Sequence, residues 1–291
     1  MASFKEKLNQ GRFVITAELD PPRGADPSGV LRQAQALLDW VDAVNVADCP
    51  MAGLRMSPIA VAALVQEELK LEAVFHLTCR DRNLLGLQAE LLGAWALGVH
   101  NILALTGDDP GRGDHPGATG VFDVSSAGLV RIAASLNQGQ SVAGRRLDGT
   151  DFLIGVVANP ATPDQGAEIA RLEEKVAAGA HFVQTQPVFD LRVAEVFARA
   201  VEHLAVPVLF GLLPLTGPAM ARNITARVPG IVVPPSVIER LERDPDSGPA
   251  IARAFLTEVA SFAAGVHFFP MGHPERVVAV CRAMDDVAPV G

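Results

Sequence analysis

The sequence contains few of the residues and motifs that mark several common protein classes. Its three cysteines, Cys49, Cys79 and Cys281, include no CxxC pair, so a disulfide scaffold is excluded and a reducing compartment is expected. Cys49 and Cys79 both follow predicted strands, and we expect packed thiols rather than a shared metal. Lys plus Arg number 24 against 33 Asp plus Glu, without a basic run, which argues against a nucleic-acid surface.

Long apolar runs and several catalytic motifs are also missing. The longest apolar stretches are strand-length or interrupted by charge, and residues 1–12 are polar, so we expect neither a membrane span nor a signal peptide and predict a cytoplasmic protein. No HExxH, GxSxG or Walker A motif occurs, which argues against zinc proteases, serine hydrolases and P-loop enzymes. With 49% hydrophobic residues, the chain has ample material for a large core.

A repeated pattern is the main feature that is present. About every thirty residues an apolar run ends in polar or small residues, as in VITAELDPPR, AVNVADCP, AVFHLTCRD and ILALTGDDP, a period that suits one strand plus one helix. Eight such strands are predicted, and no GxGxxG follows the first one, so we predict a single α/β domain over residues 1–291, a (βα)8 TIM barrel. The predicted strands are 13–19, 42–47, 72–77, 101–106, 152–158, 181–186, 207–213 and 265–271.

Apolar residues at helical spacing predict helices between most of these strands. Residues 109–123 form a glycine-rich active-site loop that is longer than a usual connection, and it is either a lid or a substrate wall. Residues 229–264 hold extra helices before the eighth strand. The predicted helices are 28–40, 59–69, 83–99, 124–138, 166–179, 234–244, 248–265 and 274–286.

Polar side chains at the strand ends should meet at one mouth of the barrel. Glu18 is the strongest candidate for a general acid, because apolar neighbours favour a raised carboxyl pKa; an ion pair with Arg23 is its alternative interpretation. The predicted group is Glu18, Asp48, His76, Thr78, Asp108, Asn159, Gln186 and Thr216.

Three further residues suit a ring-shaped ligand. Asp108 follows Gly107, which lets the backbone approach a heterocycle whose N–H groups the carboxylate can bind; a plain turn is the alternative. His76 points the same way as Thr78 and can donate to a carbonyl or phosphate, although a core histidine would look the same. Gln186 offers both a donor and an acceptor to the edge of a pterin.

The segments AELDPPRG, HLTCRDRN, LGVHNILALTGDDP, ATGVFDV and KVAAGAHFVQTQPVFD resemble those of the methylenetetrahydrofolate reductases, from the first strand to the last helix. The resemblance is to the bacterial branch with LTGD after the fourth strand, as a stand-alone reductase domain. It implies a TIM barrel that holds FAD at the strand ends. The flavin would be reduced by NADH or NADPH and would pass a hydride to 5,10-methylenetetrahydrofolate, giving 5-methyltetrahydrofolate for methionine metabolism.

The same resemblance assigns roles to individual residues. Glu18 matches the family's acid, Asp108 its charge stabiliser near the pterin, and Gln186 its folate-binding glutamine, while Asp48 is either a second folate contact or a structural ion pair. Some family contacts differ: Thr106 replaces an arginine of many members, and Glu174 stands where some have a basic residue. The implied cofactor-binding residues are His76, Thr78, Thr106, Gly107, Asp108, Ser126, Asn159 and Lys175.

Two other functions stay open at this point. The barrel could transfer hydride from a nicotinamide or deazaflavin without FAD. It could also be a non-catalytic pterin-binding protein that serves a corrinoid methyltransferase, and such a protein would need no acid at Glu18. In each case the expected partner is a folate, and a homo-oligomer or a redox or methyltransferase partner subunit is compatible with the sequence.

Overall fold

The protein is a closed barrel of eight parallel strands. The computed structural model describes residues 2–228 and 230–285, and its strands follow one another in chain order until β8 pairs with β1. This confirms the predicted single-domain TIM barrel. The strands are β1 (Val14–Leu19), β2 (Ala43–Val46), β3 (Glu72–Thr78), β4 (Asn101–Leu105), β5 (Leu153–Ala158), β6 (Phe182–Pro187), β7 (Val208–Leu212) and β8 (Gly265–Phe268).

Helices surround the barrel and close one end of it. The predicted last residue of the final helix, 286, lies outside the described residues, as do residue 229 and the end of the predicted domain, 287–291. The helices are α1 (Phe4–Asn9), α2 (Ser28–Leu37), α3 (Pro58–Leu69), α4 (Leu84–Ala96), α5 (Ser126–Asn137), α6 (Gln165–Ala177), α7 (Leu191–Val201), α8 (Pro218–Arg227), α9 (Pro235–Arg243), α10 (Gly248–Val259) and α11 (Pro274–Asp285).

Alternation along the strands fills the barrel interior in layers. The layer nearest the amino-terminal ends is apolar and is covered by Phe4 and Leu8 of α1. The ring of Phe4 meets that of Phe182 edge-on, with ring centroids 5.7 Å apart. This end of the barrel is therefore a packed core. The strand residues of the layer are Val14, Ala43, Val74, Leu103, Leu153, Phe182 and Leu209.

Several elements differ from their predicted bounds for local reasons. β8 ends at Phe268 rather than 271, since Pro270 has no N–H to extend the ladder. α5 begins at Ser126 rather than 124, because the side chain of Ser125 caps it by accepting from the N–H of Gly128. The sequence analysis named no helix at α1, α7 or α8. Within the described residues, no helix is long and apolar enough to span a membrane.

The connection between β7 and β8 contains an insertion. α10 packs on β7 between α7 and α11, in the position of a barrel helix, whereas α8 and α9 share a separate small core with the segment after β7. That core includes Leu215, Ile224 and Leu241. The insertion thus adds a wall at the carboxyl-terminal end of β6–β8.

Candidate active site

A cavity of about 350 Å³ opens at the carboxyl-terminal ends of the strands, a volume suited to a small-molecule site. Strand ends from distant parts of the chain supply its walls, as a TIM barrel requires. The cavity brings together the following predicted side chains: Glu18, Asp48, His76, Thr78, Thr106, Gly107, Asp108, Ser126, Lys175 and Gln186.

Glu18 lies in this cavity without a hydrogen-bond or ion-pair partner in the described chain. Arg23, the alternative partner considered from the sequence, pairs with Asp114 instead, at 3.3 Å. Burial, with a smaller contribution from the nearby charge of Asp20, raises the pKa of Glu18 to about 8. The carboxyl group therefore holds its proton at neutral pH and can donate it.

Asp20 lies near Glu18, and Arg55 lies near Asp20. Burial raises the pKa of Asp20, and the charge of Arg55 opposes that rise. Asp20 follows Glu18 by two residues at the end of β1. Its negative charge disfavours a second negative charge on Glu18, so this pair of acids favours the protonated form of Glu18.

The turn after β4 holds Asp108 beside the cavity. Gly107 has φ +93°, and a Cβ there would lie 2.8 Å from the Cβ of Arg80, so only glycine fits without strain. Asp108 accepts a hydrogen bond from the N–H of Met51 at 2.9 Å. One of its carboxylate oxygens is thus fixed by the backbone, and the group faces the cavity from an exposed loop.

The glycine-rich loop continues from this turn and packs on the loop after β2. Asp114 accepts hydrogen bonds from the N–H of Leu54 at 3.0 and 3.1 Å. Further along, the N–H groups of Val121 and Phe122 donate to the carbonyls of Arg80 and Cys79. These contacts hold the loop against the loop after β2 and the segment after β3; its role as a lid or a substrate wall stays a prediction.

Asp48 is held by its neighbours at the end of β2. Its Oδ2 accepts from the N–H and the hydroxyl of Thr78, both at 2.9 Å, and from Arg82 at 2.8 Å. The only further contact of Oδ1 among the described residues is to Arg82, at 3.5 Å. Asp48 therefore forms an ion pair with Arg82 through Oδ2, and its Oδ1 is left for a folate contact.

Lys175 and Ser126 lie on the β4–β5 side of the cavity. The ammonium of Lys175 is largely buried and donates to the carbonyl of Val157 at 2.7 Å, while burial lowers its pKa against the opposing charge of Glu168. Two N–H groups of this ammonium remain for a ligand. Ser126 begins α5, whose N-terminus favours anions. These groups fit the phosphate of a dinucleotide cofactor.

Below the predicted residues lies a polar layer that the sequence analysis missed. Thr16, Asn45, Gln184 and His267 are all at most 2% exposed, and each sits inside a strand rather than at its end. Gln184 and Gln186 both line the cavity, and the register of β6 against β7 shifts between Gln184 and Pro187. A polar residue within a nearly continuous apolar strand is the signal that could have found this layer.

Two predicted residues lie outside the cavity wall. The side chain of Asn159 donates to the carbonyl of Gly230 at 3.0 Å and accepts from the N–H of Ala161 at 3.0 Å, which ties it to the segment before α9. Thr216 is exposed and contacts Met220. Across residues 2–228 and 230–285, no three acidic, histidine or cysteine side chains are grouped as a metal site would need.

Known proteins resemble this chain along most of its length. A sequence profile of the family described as methylenetetrahydrofolate reductase matches residues 3–285. A 5,10-methylenetetrahydrofolate reductase of Pectobacterium carotovorum subsp. carotovorum is 26% identical over 309 residues, covering 97% of this chain and 96% of that protein. The protein of the same description in Escherichia coli (strain K12) is 24% identical over 306 residues, with 97% and 96% covered.

A solved structure shares the fold. An uncharacterized protein from Clostridium thermocellum that binds two copies of 5-methyl-5,6,7,8-tetrahydrofolic acid superposes with a TM-score of 0.66 at 13% identity, covering 97% of this chain and 99% of that one. Because the family profile spans nearly all of the described residues, the chain belongs to the methylenetetrahydrofolate reductase family.

Proposed function

We propose that the protein reduces 5,10-methylenetetrahydrofolate to 5-methyltetrahydrofolate, in a flavin-dependent reaction with Glu18 as general acid. The observation that carries this proposal is the unpaired carboxyl group of Glu18 in a cavity it shares with Asp108 and Gln186. A protonated carboxyl, a carboxylate and an amide are the groups that ring opening of this substrate requires. We place the reaction in the methionine branch of one-carbon metabolism, in the cytoplasm.

Glu18 would begin the reaction by protonating N10 of the folate. Its pKa of about 8 leaves the proton available at neutral pH. Cleavage of the bond between N10 and the bridging carbon then leaves a cationic iminium at N5, which accepts a hydride and becomes the methyl group. Glu18, now ionised, regains a proton from solvent through the open mouth.

Asp108 and Gln186 would orient the pterin and stabilise its charge. The carboxylate of Asp108 is fixed by the N–H of Met51, so it needs little reorganisation when the cation forms. Gln186 lies on the inward face of β6 at the cavity wall, where its amide can pair with a donor and an acceptor on the ring edge. Asp48 would add a contact through Oδ1.

The cofactor would occupy the β3–β6 side of the same mouth. FAD, reduced by NADH or NADPH, supplies the hydride when it is bound. Lys175 and the N-terminus of α5 at Ser126 would hold phosphate, and His76, Thr78 and the Thr106–Asp108 turn would contact the ring system. Asn159 would require a change of rotamer to reach it, since both ends of its amide are engaged elsewhere.

Two measurements test the proposal. Purified protein should absorb near 450 nm, about the usual flavin band. Under anaerobic conditions it should oxidise NADH or NADPH beyond the one equivalent that reduces the flavin only when 5,10-methylenetetrahydrofolate is present. The value of kcat/KM should fall as pH rises above about 8, because Glu18 then loses its proton. If protein without flavin absorbance turns over the substrate, the hydride comes directly from the nicotinamide and not from FAD.

A binding role without catalysis makes the opposite prediction for Glu18. If Glu18→Gln retains full reduction of the folate, the acid assignment is wrong. If the wild-type protein binds 5-methyltetrahydrofolate but never turns over the methylene substrate with any tested donor, the barrel serves a methyltransferase partner instead.

A further inference from the structure

The floor of the cavity is a single chain of hydrogen bonds between five buried side chains. Each of them is at most 5% exposed, and together they cross the barrel from β3 to β8 by way of β2, β6 and β1. Polar groups buried in this way are costly unless each finds a partner. The chain runs in the order His76, Asn45, Gln184, Thr16, His267.

Two amides form the centre of this chain. The Nδ2 of Asn45 donates to Oε1 of Gln184 at 2.7 Å, and the Nε2 of Gln184 donates back to Oδ1 of Asn45 at 3.3 Å. A primary amide has two N–H hydrogens. Each amide therefore has one hydrogen left after this reciprocal pair is formed.

The remaining amide hydrogens fix the protonation of the neighbours. The second hydrogen of Asn45 points to Nε2 of His76 at 3.2 Å, so this nitrogen accepts and the ring proton is on Nδ1. The second hydrogen of Gln184 goes to Oγ1 of Thr16 at 3.2 Å. Thr16 is thereby placed to act as a donor in its turn.

Thr16 continues the chain of donors to the imidazole of His267. Its hydroxyl lies 2.9 Å from Nδ1 of His267 but 3.5 Å from the carbonyl of Val266, so the hydroxyl hydrogen goes to the imidazole. Nδ1 of His267 then accepts, and the ring proton is on Nε2. Both histidines are uncharged, since burial lowers the pKa of His76 to about 4 and that of His267 to about 3.

The protonated nitrogens face the cavity. Neither Nδ1 of His76 nor Nε2 of His267 has a partner among the described residues, and both rings line the cavity. In the described part of the chain, Arg55 Nε is the one buried side-chain nitrogen or oxygen that lacks a partner. The two imidazole N–H groups are consequently open to a ligand rather than sealed in the core.

We propose that the cavity floor is a pair of neutral hydrogen-bond donors, His76 Nδ1–H and His267 Nε2–H, that binds the carbonyl or ring-nitrogen acceptors of a planar heterocycle. The Asn45–Gln184 amide pair determines which ring nitrogen carries the proton, directly in His76 and through Thr16 in His267. Only the identity of the ring depends on the proposed function: it is either the pterin of the folate or the redox-active ring of the cofactor. His267 becomes a binding residue, and Gln184 and Asn45 become positioning residues.

Imidazole ¹⁵N chemical shifts, measured on protein from which any bound flavin has been removed, show which ring nitrogen of each histidine carries the proton. We expect the Nδ1–H tautomer for His76 and the Nε2–H tautomer for His267, both unchanged between about pH 6 and 8. Thr16→Val removes the hydroxyl hydrogen and should release His267 from its tautomer, whereas Thr16→Ser should keep it. Opposite tautomers in the wild-type protein, or identical spectra for the two Thr16 variants, would overturn the proposal.

Ligand titrations identify the ring and separate this inference from the proposed function. 5-Methyltetrahydrofolate, NADH and FAD are added in separate samples, and the ligand that shifts the cavity-facing N–H signals is the one seated on the floor. His267→Phe should then weaken that ligand about tenfold, and His267→Gln, which keeps an N–H, should weaken it less. Binding with this signature in a protein without reductase activity would support the donor floor alone. Saturation by all three ligands without any shift would refute it.

Discussion

Glu72 at one end of the barrel and Glu18 at the other have opposite surroundings. At the amino-terminal end, Glu72 accepts from the N–H of Phe4 at 2.8 Å and from the side chain of Asn101 at 3.1 Å. At the carboxyl-terminal end, Glu18 has no partner in the described chain, and its pKa rises to about 8. One carboxylate fastens a helix across the barrel, and the other is left for a ligand.

This difference separates stability from function along the barrel axis. Phe4 and Leu8 of α1 are buried against the apolar layer beneath them, so the closed end contributes packing free energy. The open end holds an acid whose ionised form is unfavourable in the folded protein. Substitutions at the two ends should therefore change different measurements.

Replacement of the two glutamates by glutamine should separate the two ends most strongly. Glu18→Gln removes the proton donor without changing the shape of the side chain, and we expect reductase activity to fall about 100- to 10,000-fold. Glu72→Gln should leave kcat/KM within about twofold, because its contacts lie at the opposite end. Steady-state kinetics on both purified variants, with circular dichroism to verify folding, measures the difference.

Equal losses of activity in the two variants would contradict this separation. The effects of the two substitutions on the free energy of unfolding should have the reverse order. Glu72→Gln weakens two charge-assisted hydrogen bonds and should destabilise the fold by about 1 to 3 kcal/mol, whereas Glu18→Gln breaks no bond in the described chain. A Glu18→Gln variant that unfolds more easily at neutral pH would show that Glu18 has a partner in the folded state.

Truncation of the core at the closed end should have the next largest effect. Phe182 is fully buried and contacts Gly155 so closely that a Cβ there would lie 2.3 Å from its ring. Phe182→Ala should lower the free energy of unfolding by about 3 to 5 kcal/mol, measured by urea denaturation. Leu85→Ala, at a side chain that is 75% exposed, is the matched control and should change it by less than about 0.5 kcal/mol.

The sequence predicted the frame of this barrel well because its strands are nearly continuous apolar runs that end in polar clusters. Such runs indicate parallel strands covered on both faces, and the order of the eight units follows. α1 was missed because FKEKLN is only six residues long and packs through two apolar side chains. α8 was missed because PAMARNITAR has little apolar periodicity, although its Ala, Met and Arg residues are good helix formers.

Site residues were predicted where the alternation of side chains along a strand applies, and were missed or misplaced elsewhere. Glu18 and His76 lie within regular strands, so alternation fixes their direction, whereas Gln186 lies where the register of β6 shifts. Asn159 follows the last residue of β5 and turns toward Gly230, beyond the reach of a period-two argument. The other floor residues, Thr16, Asn45, Gln184 and His267, were missed because polar side chains one pleat below the strand ends are recognisable as a layer only once strand register is known.

The turn that carries Asp108 offers a smaller test of the open end. Gly107→Ala places a Cβ 2.8 Å from Cβ of Arg80 and 3.0 Å from Cβ of Thr78, at a φ of +93°, so we expect a loss of about 2 kcal/mol in stability and displacement of Asp108. Binding of 5-methyltetrahydrofolate should weaken in a fluorescence titration. Gly117→Ala, in the same loop with no atom within 4 Å of the added Cβ, should behave like the wild-type protein.

The smallest expected effect is the pH dependence that the unpaired glutamate gives to stability. Its pKa is about 8 in the folded protein, against an ordinary value of 4.5. Between these values the unfolded chain releases a proton that the folded protein retains, so the free energy of unfolding decreases as pH rises from about 4.5 to 8 and is constant with respect to this group above that range.

Glu18→Gln removes this dependence. Solvent in the open cavity moderates the effect, and we expect the glutamine variant to exceed the wild type by roughly 1 to 2 kcal/mol at pH 8 and to match it near pH 5. Urea denaturation of the two proteins at a series of pH values measures the difference, in which titrations common to both cancel. A difference that stays constant with pH would mean that folding does not raise the pKa of Glu18, and a difference that favours the wild type at pH 8 would mean that its ionised form is stabilised. Either result would rule out Glu18 as the acid.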